Sequence, residues 1–276
     1  MKYLKKFNSV LSLRKGLVKQ SGRNNKGKIT VRHHGGGHKQ AFRVLDWSRS
    51  ENSATVVGIE YDPMRSASII KLYNEDSIQN KYSYILAPKG VSLFQKLNKY
   101  SFNDTNSANE SITNKLLKPG DAASISFFEV GDFIHAMEAF PGQGSIFGRA
   151  SGSYCQIRSV NQSTNSYVKN KEEEKFAIVR LPSGNKRFIN IKAQATLGRV
   201  GQDSKMKPNR LKAGRMRWLG WRPSVRGVAM NPVDHPHGGG QGKTSGGRPS
   251  VTFKSWPTKG QPTRSPKRKN NFILKS

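Results

Sequence analysis

From Ser204 to Ser276 the chain carries 17 lysines or arginines and one acid, Asp234. Charge of one sign at that density prevents an ordinary hydrophobic core from closing. Within this region lies Gly227-Val-Ala-Met-Asn-Pro-Val-Asp-His-Pro-His-Gly-Gly-Gly-Gln-Gly-Lys243, which has neither the alternation of a strand nor the apolar stripe of a helix. Rigid prolines, bare glycine backbone and cationic side chains suit an extended segment laid against a polyanion. The first 50 residues repeat the bias, with 13 basic residues and one acid. Residues 51–203, by contrast, hold 18 basic and 15 acidic residues. The formal charge of +31 is thus concentrated in two arms around a nearly neutral centre. That partition predicts folded domains with extensions that enter nucleic acid.

Other classes are poorly served. No apolar run approaches the roughly 20 residues that span a bilayer, and no basic segment shows the large apolar face of a membrane-surface helix. The single cysteine, Cys155, excludes an intrachain disulfide and a cysteine-based zinc cluster. It lies in an alternating run, 153–157, and is expected to be a reduced strand cysteine. Met1 to Lys15 is basic, hydroxylated and free of acids, a composition shared by organelle transit peptides and RNA-binding arms.

The centre reads as β-structure. Short runs rich in β-branched and aromatic residues fall at 28–32, 41–47, 53–61, 67–73 and 81–87, separated by turn signals such as Asp62-Pro63. Nothing between them is long enough for a crossover helix, so a small closed barrel is predicted. Residues 92–115, rich in Asn and Ser, read as a surface insertion. After Lys118-Pro-Gly120 a second series follows at 123–128, 133–139, 145–148, 153–157, 176–181 and 186–191, interrupted by a solvated insertion at 161–175. It predicts a second all-β, barrel-sized module. From Ala193 the periodicity fades, with a short helix around Arg210 as the exception.

Several clusters carry candidate chemistry. His33, His34 and His38 surround Gly35, Gly36 and Gly37, while Asp234, His235 and His237 precede Gly238, Gly239 and Gly240. A metal-dependent hydrolase could be built from such groups, but no HExxH helix or paired acid accompanies them. Gly242-Lys243-Thr244 matches only the tail of a phosphate loop, with Gly238 one residue too close and no helix to follow. The favoured reading is that both glycine triplets let backbone amides approach phosphates, with the histidines donating to or stacking on RNA. Arg210, Arg215, Arg217, Arg222 and Arg226 are expected to clamp phosphates, with Lys243 beside the second triplet. Lys26, Lys28, Arg32 and Lys39 do the same for the N-terminal arm. Trp218 and Trp221, set among the arginines, either pack the arm on its own domain or stack on unpaired bases.

These residues carry a resemblance. Gly22 to Lys39, Ile59-Glu-Tyr-Asp-Pro-Met-Arg-Ser-Ala67, Tyr84-Ile-Leu-Ala-Pro-Lys-Gly90, Leu181-Pro-Ser-Gly184, Gly214-Arg-Met-Arg-Trp-Leu-Gly220 and Val225 to Gly240 resemble, in order, the bacterial-type second protein of the large ribosomal subunit. The resemblance implies an oligonucleotide-binding-type (OB) barrel followed by an SH3-like barrel, with both termini threading into large-subunit rRNA. On this basis residues 1–27 form a basic extension, 28–117 the first barrel, 118–197 the second, and 198–276 an extended rRNA-binding region. It implies other ribosomal proteins and the small subunit as further partners, no cofactor, and no enzyme activity of the chain itself. Arg65, within the second matching segment, is expected among the RNA contacts. His235 falls on the family's histidine tied to peptidyl transfer, with Asp234 and His237 as companions that hold RNA geometry.

Departures from the family are also informative. Gln241 replaces a usual Glu, His34 replaces a usual Arg, the arm before Gly22 is short, and the Asn/Ser-rich insertions are foreign to compact bacterial members. This drift resembles an organelle-encoded, mitochondrial member, in which local synthesis is expected in place of a cleaved presequence. A free-standing single-strand nucleic-acid binder is the other alternative.

Overall fold

A computed structural model describes residues 9–75, 81–100, 117–162, 175–203, 211–242, 244–260, 262–263, 265 and 272–274. The chain divides into two compact units. Unit 1 comprises Met1–Leu17, Gln40–Lys207 and Asn271–Ser276; unit 2 comprises Val18–Lys39 and Pro208–Asn270.

In unit 1 the strands are β1 (Arg14–Gly16), β2 (Ala41–Arg43), β3 (Ser53–Glu60), β4 (Ile69–Tyr73), β5 (Tyr82–Leu86), β6 (Lys96–Tyr100), β7 (Ala122–Ser124) and β8 (Phe133–His135). They continue with β9 (Met137–Glu138), β10 (Ser145–Phe147), β11 (Cys155–Gln162), β12 (Phe176–Arg180), β13 (Lys186–Asn190), β14 (Gln194–Leu197) and β15 (Ile273–Leu274). In β3 every second residue is buried, as strand alternation over a core demands.

The two-barrel expectation is not met. Eleven strands form one open, mixed sheet in the order β15-β13-β12-β11-β8-β14-β7-β6-β3-β4-β5, and no sheet among the described residues closes on itself. The reason is a competition for edges. Each barrel would need its first and last strands to pair, but β6 gives its free edge to β7 in a parallel register, Lys99 opposite Ala122. The outer edge of β13 is likewise taken by β15, with Arg187 opposite Ile273.

Local expectations also change. The insertion expected at 92–115 begins as strand β6, anchored by Leu97 at 1% exposure; residues 101–116 lie outside the described residues, as do 163–174 of the other insertion. The strand expected at 28–32 is absent. Only an isolated bridge joins Arg23 and Ile29, and Ile29 and Val31 are exposed because no sheet face receives them. The run at 123–128 turns into a 3-10 turn at Ile125–Phe127. The run at 133–139 breaks at Ala136, whose φ of 48° ends β8 before β9 begins.

Among the described residues the core clusters lie in unit 1. Ile125, Ile134, Met137, Ile157, Val179 and Ile189 lead one cluster, Val56, Ile70, Leu72 and Leu97 a second, and Ile69, Tyr84, Leu86 and Val200 a third. Burying each large side chain stabilises by about 1.5–3 kcal/mol. Several buried polar groups are matched, although Arg43 Nε, Ser159 Oγ, Arg187 Nε and Gln202 Oε1 are buried without a hydrogen-bond partner. The Tyr84 hydroxyl donates to Glu60 at 3.1 Å and accepts from the Val10 amide at 3.1 Å, tying the N-terminal segment to the sheet. Glu138 accepts from the amides of Gly142, Gly144 and Gln194. Burial pushes the Cys155 thiol up to about 12, so it is an inert core side chain.

His135 is the core group most sensitive to pH. Its Nδ1 lies 3.1 Å from the Gly198 carbonyl and carries the proton. Burial, the largest cause, together with nearby Arg49 lowers its pKa from 6.5 to about 4 against the raising effect of the Gly198 and Thr196 carbonyls. Between those values the unfolded chain takes up a proton that the native site refuses. Stability is therefore complete above pH 6.5 and falls as pH drops through about 4, by about 3 kcal/mol. Urea unfolding from pH 7 to pH 4 should show this loss, and His135→Asn should remove that part of the slope. An unchanged slope in the variant would refute the assignment.

Candidate nucleic-acid interface

Among the described residues unit 2 contributes none to the hydrophobic clusters, and backbone hydrogen bonds join its segments. Its helix, α1 (Ala213–Trp218), is six residues long, buries none of them and ends with Arg215 and Arg217 in its last turn. Cations there complement the helix dipole. The chain then turns at Gly220 and runs back against residues 33–38. The Arg222 amide donates to the His33 carbonyl at 3.0 Å, the Gly35 amide to Gly220 at 2.7 Å, and the His38 amide to Trp218 at 2.8 Å.

The glycines permit this approach. Gly37 has φ +62°, and a Cβ there would stand 2.6 Å from the Trp218 carbonyl oxygen; one on Gly220, φ +88°, would stand 2.9 Å from that of Gly35. The first triplet is therefore committed in part to its own chain. Among the described residues the amides of Gly36 and Gly37 have no partner.

The surrounding side chains form a cationic, aromatic surface. His34 packs on Trp221 with ring centroids 4.8 Å apart, and His33 donates from Nδ1 to the Pro223 carbonyl at 3.0 Å. An open recess of about 480 Å³ is lined by Gly36, Lys39, Arg217, Trp218 and Trp221. Trp218 stays 54% exposed and Trp221 44%, so each still presents ring surface to a ligand. Lys212, which sequence reasoning missed, places its ammonium 5.2 Å from the Trp218 ring centroid. Only the short helix brings it there, and six residues without an apolar stripe leave no periodicity to read.

The second triplet belongs to a separate substructure; among the described residues no hydrogen bond or ring contact joins it to the first. The Asn231 carbonyl accepts from the amides of Asp234 and His235, and Met230 accepts from Gly239 at 3.1 Å. The His237 amide donates to His235 Nδ1 at 3.0 Å, and the Val251 amide donates to His237 Nε2 at 3.0 Å. Each imidazole thus accepts a backbone hydrogen bond, His235 at Nδ1 and His237 at Nε2. The rings lie 5.1 Å apart. Gly227 makes room for them, since a Cβ there would come within 2.5 Å of the His235 ring. The histidines act as struts for the loop, while Asp234 is exposed at its tip.

The remaining candidates are dispersed. Asn24 accepts from the amides of Lys26 and Lys28, shaping a turn that exposes both residues. The Arg32 guanidinium lies 4.8 Å over Phe253. Arg222 and Arg226 are exposed and Arg215 is half-buried. Arg65 sits in unit 1, where its Nε meets the buried Asp62 carboxylate at 2.6 Å. Arg210 and Lys243 lie outside the described residues.

No three His, Cys, Asp or Glu side chains come together as a metal-ligand set among the described residues. Nor is any helix among them long and apolar enough to cross a membrane.

Two family models match the chain: "Ribosomal Proteins L2, RNA binding N-terminal domain" over residues 10–98, and "Ribosomal Proteins L2, C-terminal domain" over residues 118–255. The chain is 45% identical to large ribosomal subunit protein uL2 of Methylorubrum extorquens over 276 residues, covering 99% of this chain and 90% of the relative. It is 42% identical to uL2 of Rickettsia canadensis over 266 residues, covering 96% and 88%. It is 41% identical to uL2m of Reclinomonas americana over 271 residues, covering 98% and 88%. The chain belongs to the ribosomal protein L2 family.

Proposed function

We propose that this protein is a structural, RNA-binding constituent of a large ribosomal subunit. The observation that carries this reading is unit 2, a compact unit whose described residues form no hydrophobic cluster and whose surface presents exposed tryptophans among arginines and lysines. Such a unit gains its missing stabilisation when rRNA phosphates neutralise the cations and bases cover the rings. Other ribosomal proteins are its neighbours, and it makes no chemistry of its own.

Three finer statements belong to the same proposal. The loop of Asp234, His235 and His237 organises RNA at the peptidyl transferase centre, supported by the two histidine struts that fix its backbone. The protein contributes to association with the small subunit. Its ribosome is mitochondrial, a reading supported by the Asn- and Ser-rich stretches at 92–115 and 161–175.

Replacing His235 by Gln is expected to leave assembly into particles largely intact and to slow peptide-bond formation about tenfold, equivalent to about 1.4 kcal/mol of transition-state stabilisation. Particles carrying the variant at full occupancy with normal peptidyl transfer would remove this role. Co-sedimentation after a high-salt wash separates a threaded component, which stays, from a free-standing electrostatic binder, which leaves.

A further inference from the structure

A second cluster of cations and aromatics lies on unit 1, among residues that the sequence analysis read as strands and a turn and assigned no RNA contact. Across β8, β11, β12 and β13, Phe133 stands opposite Gln156, Gln156 opposite Arg180, and Arg180 opposite Lys186. These residues share the face turned away from Ile134, Ile157 and Val179, which are buried. The row contains no acid, and no carboxylate pairs with Arg180 among the described residues.

Beside the row, the Arg199 guanidinium sits 4.2 Å from the Phe133 ring centroid and 4.4 Å from that of Tyr154. The two rings also meet edge to face at 4.9 Å. Tyr154 is thereby held rigid while 38% of it stays exposed. It borders a recess of about 450 Å³ whose other walls are Gly152, Gln156, Arg180, Ser183 and Gly184. That volume is within the range of small-ligand sites. Gln156 donates from Nε2 to the Gly131 carbonyl at 3.2 Å, which leaves its amide oxygen as a fixed acceptor.

We propose that this recess takes one unpaired nucleotide of an RNA strand. The base stacks on Tyr154, a base N–H donates to the Gln156 oxygen, and the phosphate meets Arg180. The occupant is unpaired because a base inside a duplex offers no free face to an aromatic ring. It belongs to a strand because the cations continue past Arg180 to Lys186, a track for the neighbouring phosphates. The inference rests on the RNA-binding reading above.

The test uses the full chain with two fluorescent probes, a short oligouridylate and a GC-rich duplex of equal length. Tyr154→Leu, which keeps apolar bulk against Arg199, should weaken oligouridylate binding about tenfold and leave duplex binding unchanged, while Tyr154→Phe should bind as the parent does. Arg180→Gln should lower the salt slope for the single strand by about 0.7. Ultraviolet cross-linking of the unaltered protein to oligouridylate should place an adduct on the peptide containing Tyr154, a readout that does not depend on any variant folding. Parent-like binding by Tyr154→Leu and Arg180→Gln, or an adduct only elsewhere, would overturn the recess and leave the RNA-binding reading standing. Displacement of the strand by uridine monophosphate would also overturn it, in favour of a free nucleotide. Failure of the unaltered protein to bind either probe would instead sink the RNA-binding reading.

Discussion

Alanine at Gly37 is expected to disconnect the first glycine triplet from the turn after α1 and to cost unit 2 about 3–5 kcal/mol, a large loss for a unit whose described residues form no hydrophobic cluster. The added Cβ would stand 2.6 Å from the Trp218 carbonyl oxygen and 2.8 Å from the Gly220 nitrogen, both backbone atoms that cannot rotate aside. The φ of +62° adds its own penalty for any residue with a side chain. Relief requires the two segments to separate, which sacrifices the bonds from Gly35 to Gly220 and from His38 to Trp218. Gly27 supplies the control. Its φ is +74°, but a Cβ there meets nothing within 4 Å, so Gly27→Ala should cost only the backbone term, about 1 kcal/mol. Tryptophan fluorescence during urea unfolding, followed in a background with Trp47 and Trp256 replaced by Phe, reports on Trp218 and Trp221. Equal midpoints for the two variants would show that the close approach is not what holds the triplet.

The second large effect is electrostatic. Replacing Arg215, Arg217, Arg222 and Arg226 together by Gln should leave the melting of unit 1 unchanged, since none of the four belongs to its core clusters. RNA binding should fall steeply. Each lost phosphate contact lowers the slope of log affinity against log salt by about 0.7–0.9, so four contacts lower it by about 3 and weaken binding on the order of a hundredfold to a thousandfold. Sedimentation of assembled particles should show the variant left in the soluble fraction. An unchanged salt slope would mean that these guanidinium groups face no phosphates.

The charge partition was the most legible property of the chain, because a segment with one acid among 17 cations declares in composition alone that it needs an anionic partner. Strands β3, β4, β12 and β13 were legible because apolar residues recur where one face is buried. Strand β14 was not: its buried residues are Ala195 and Thr196, too small or too polar to stand out. Strand β6 hid inside an Asn- and Ser-rich run, with Leu97 as its one fully buried side chain. Whether strands close into barrels depends on which edges meet, and the decisive pairing, Lys99 with Ala122, leaves no trace in periodicity. The candidate site follows the same rule. Both glycine triplets were visible, but their use was not, because the partners of Gly35 and His38 lie far along the chain. The struts at His235 and His237 depend on space left by Gly227, which no motif reading would connect to an imidazole.

The contact between His33 and Pro223 joins positions 190 residues apart, and this spacing sets an order of events during synthesis. At about 5–20 residues per second, the glycine triplet emerges many seconds before the turn that will pair with it. The intervening chain supplies every residue of the main core clusters, so the sheet can gather while the triplet still waits with its backbone exposed. Even the sheet is finished late, since its edge strand β15, at Ile273–Leu274, is made after every other strand described. Maturation therefore runs from the centre outward, and the cationic surface of unit 2 is completed only after the central strands have been made.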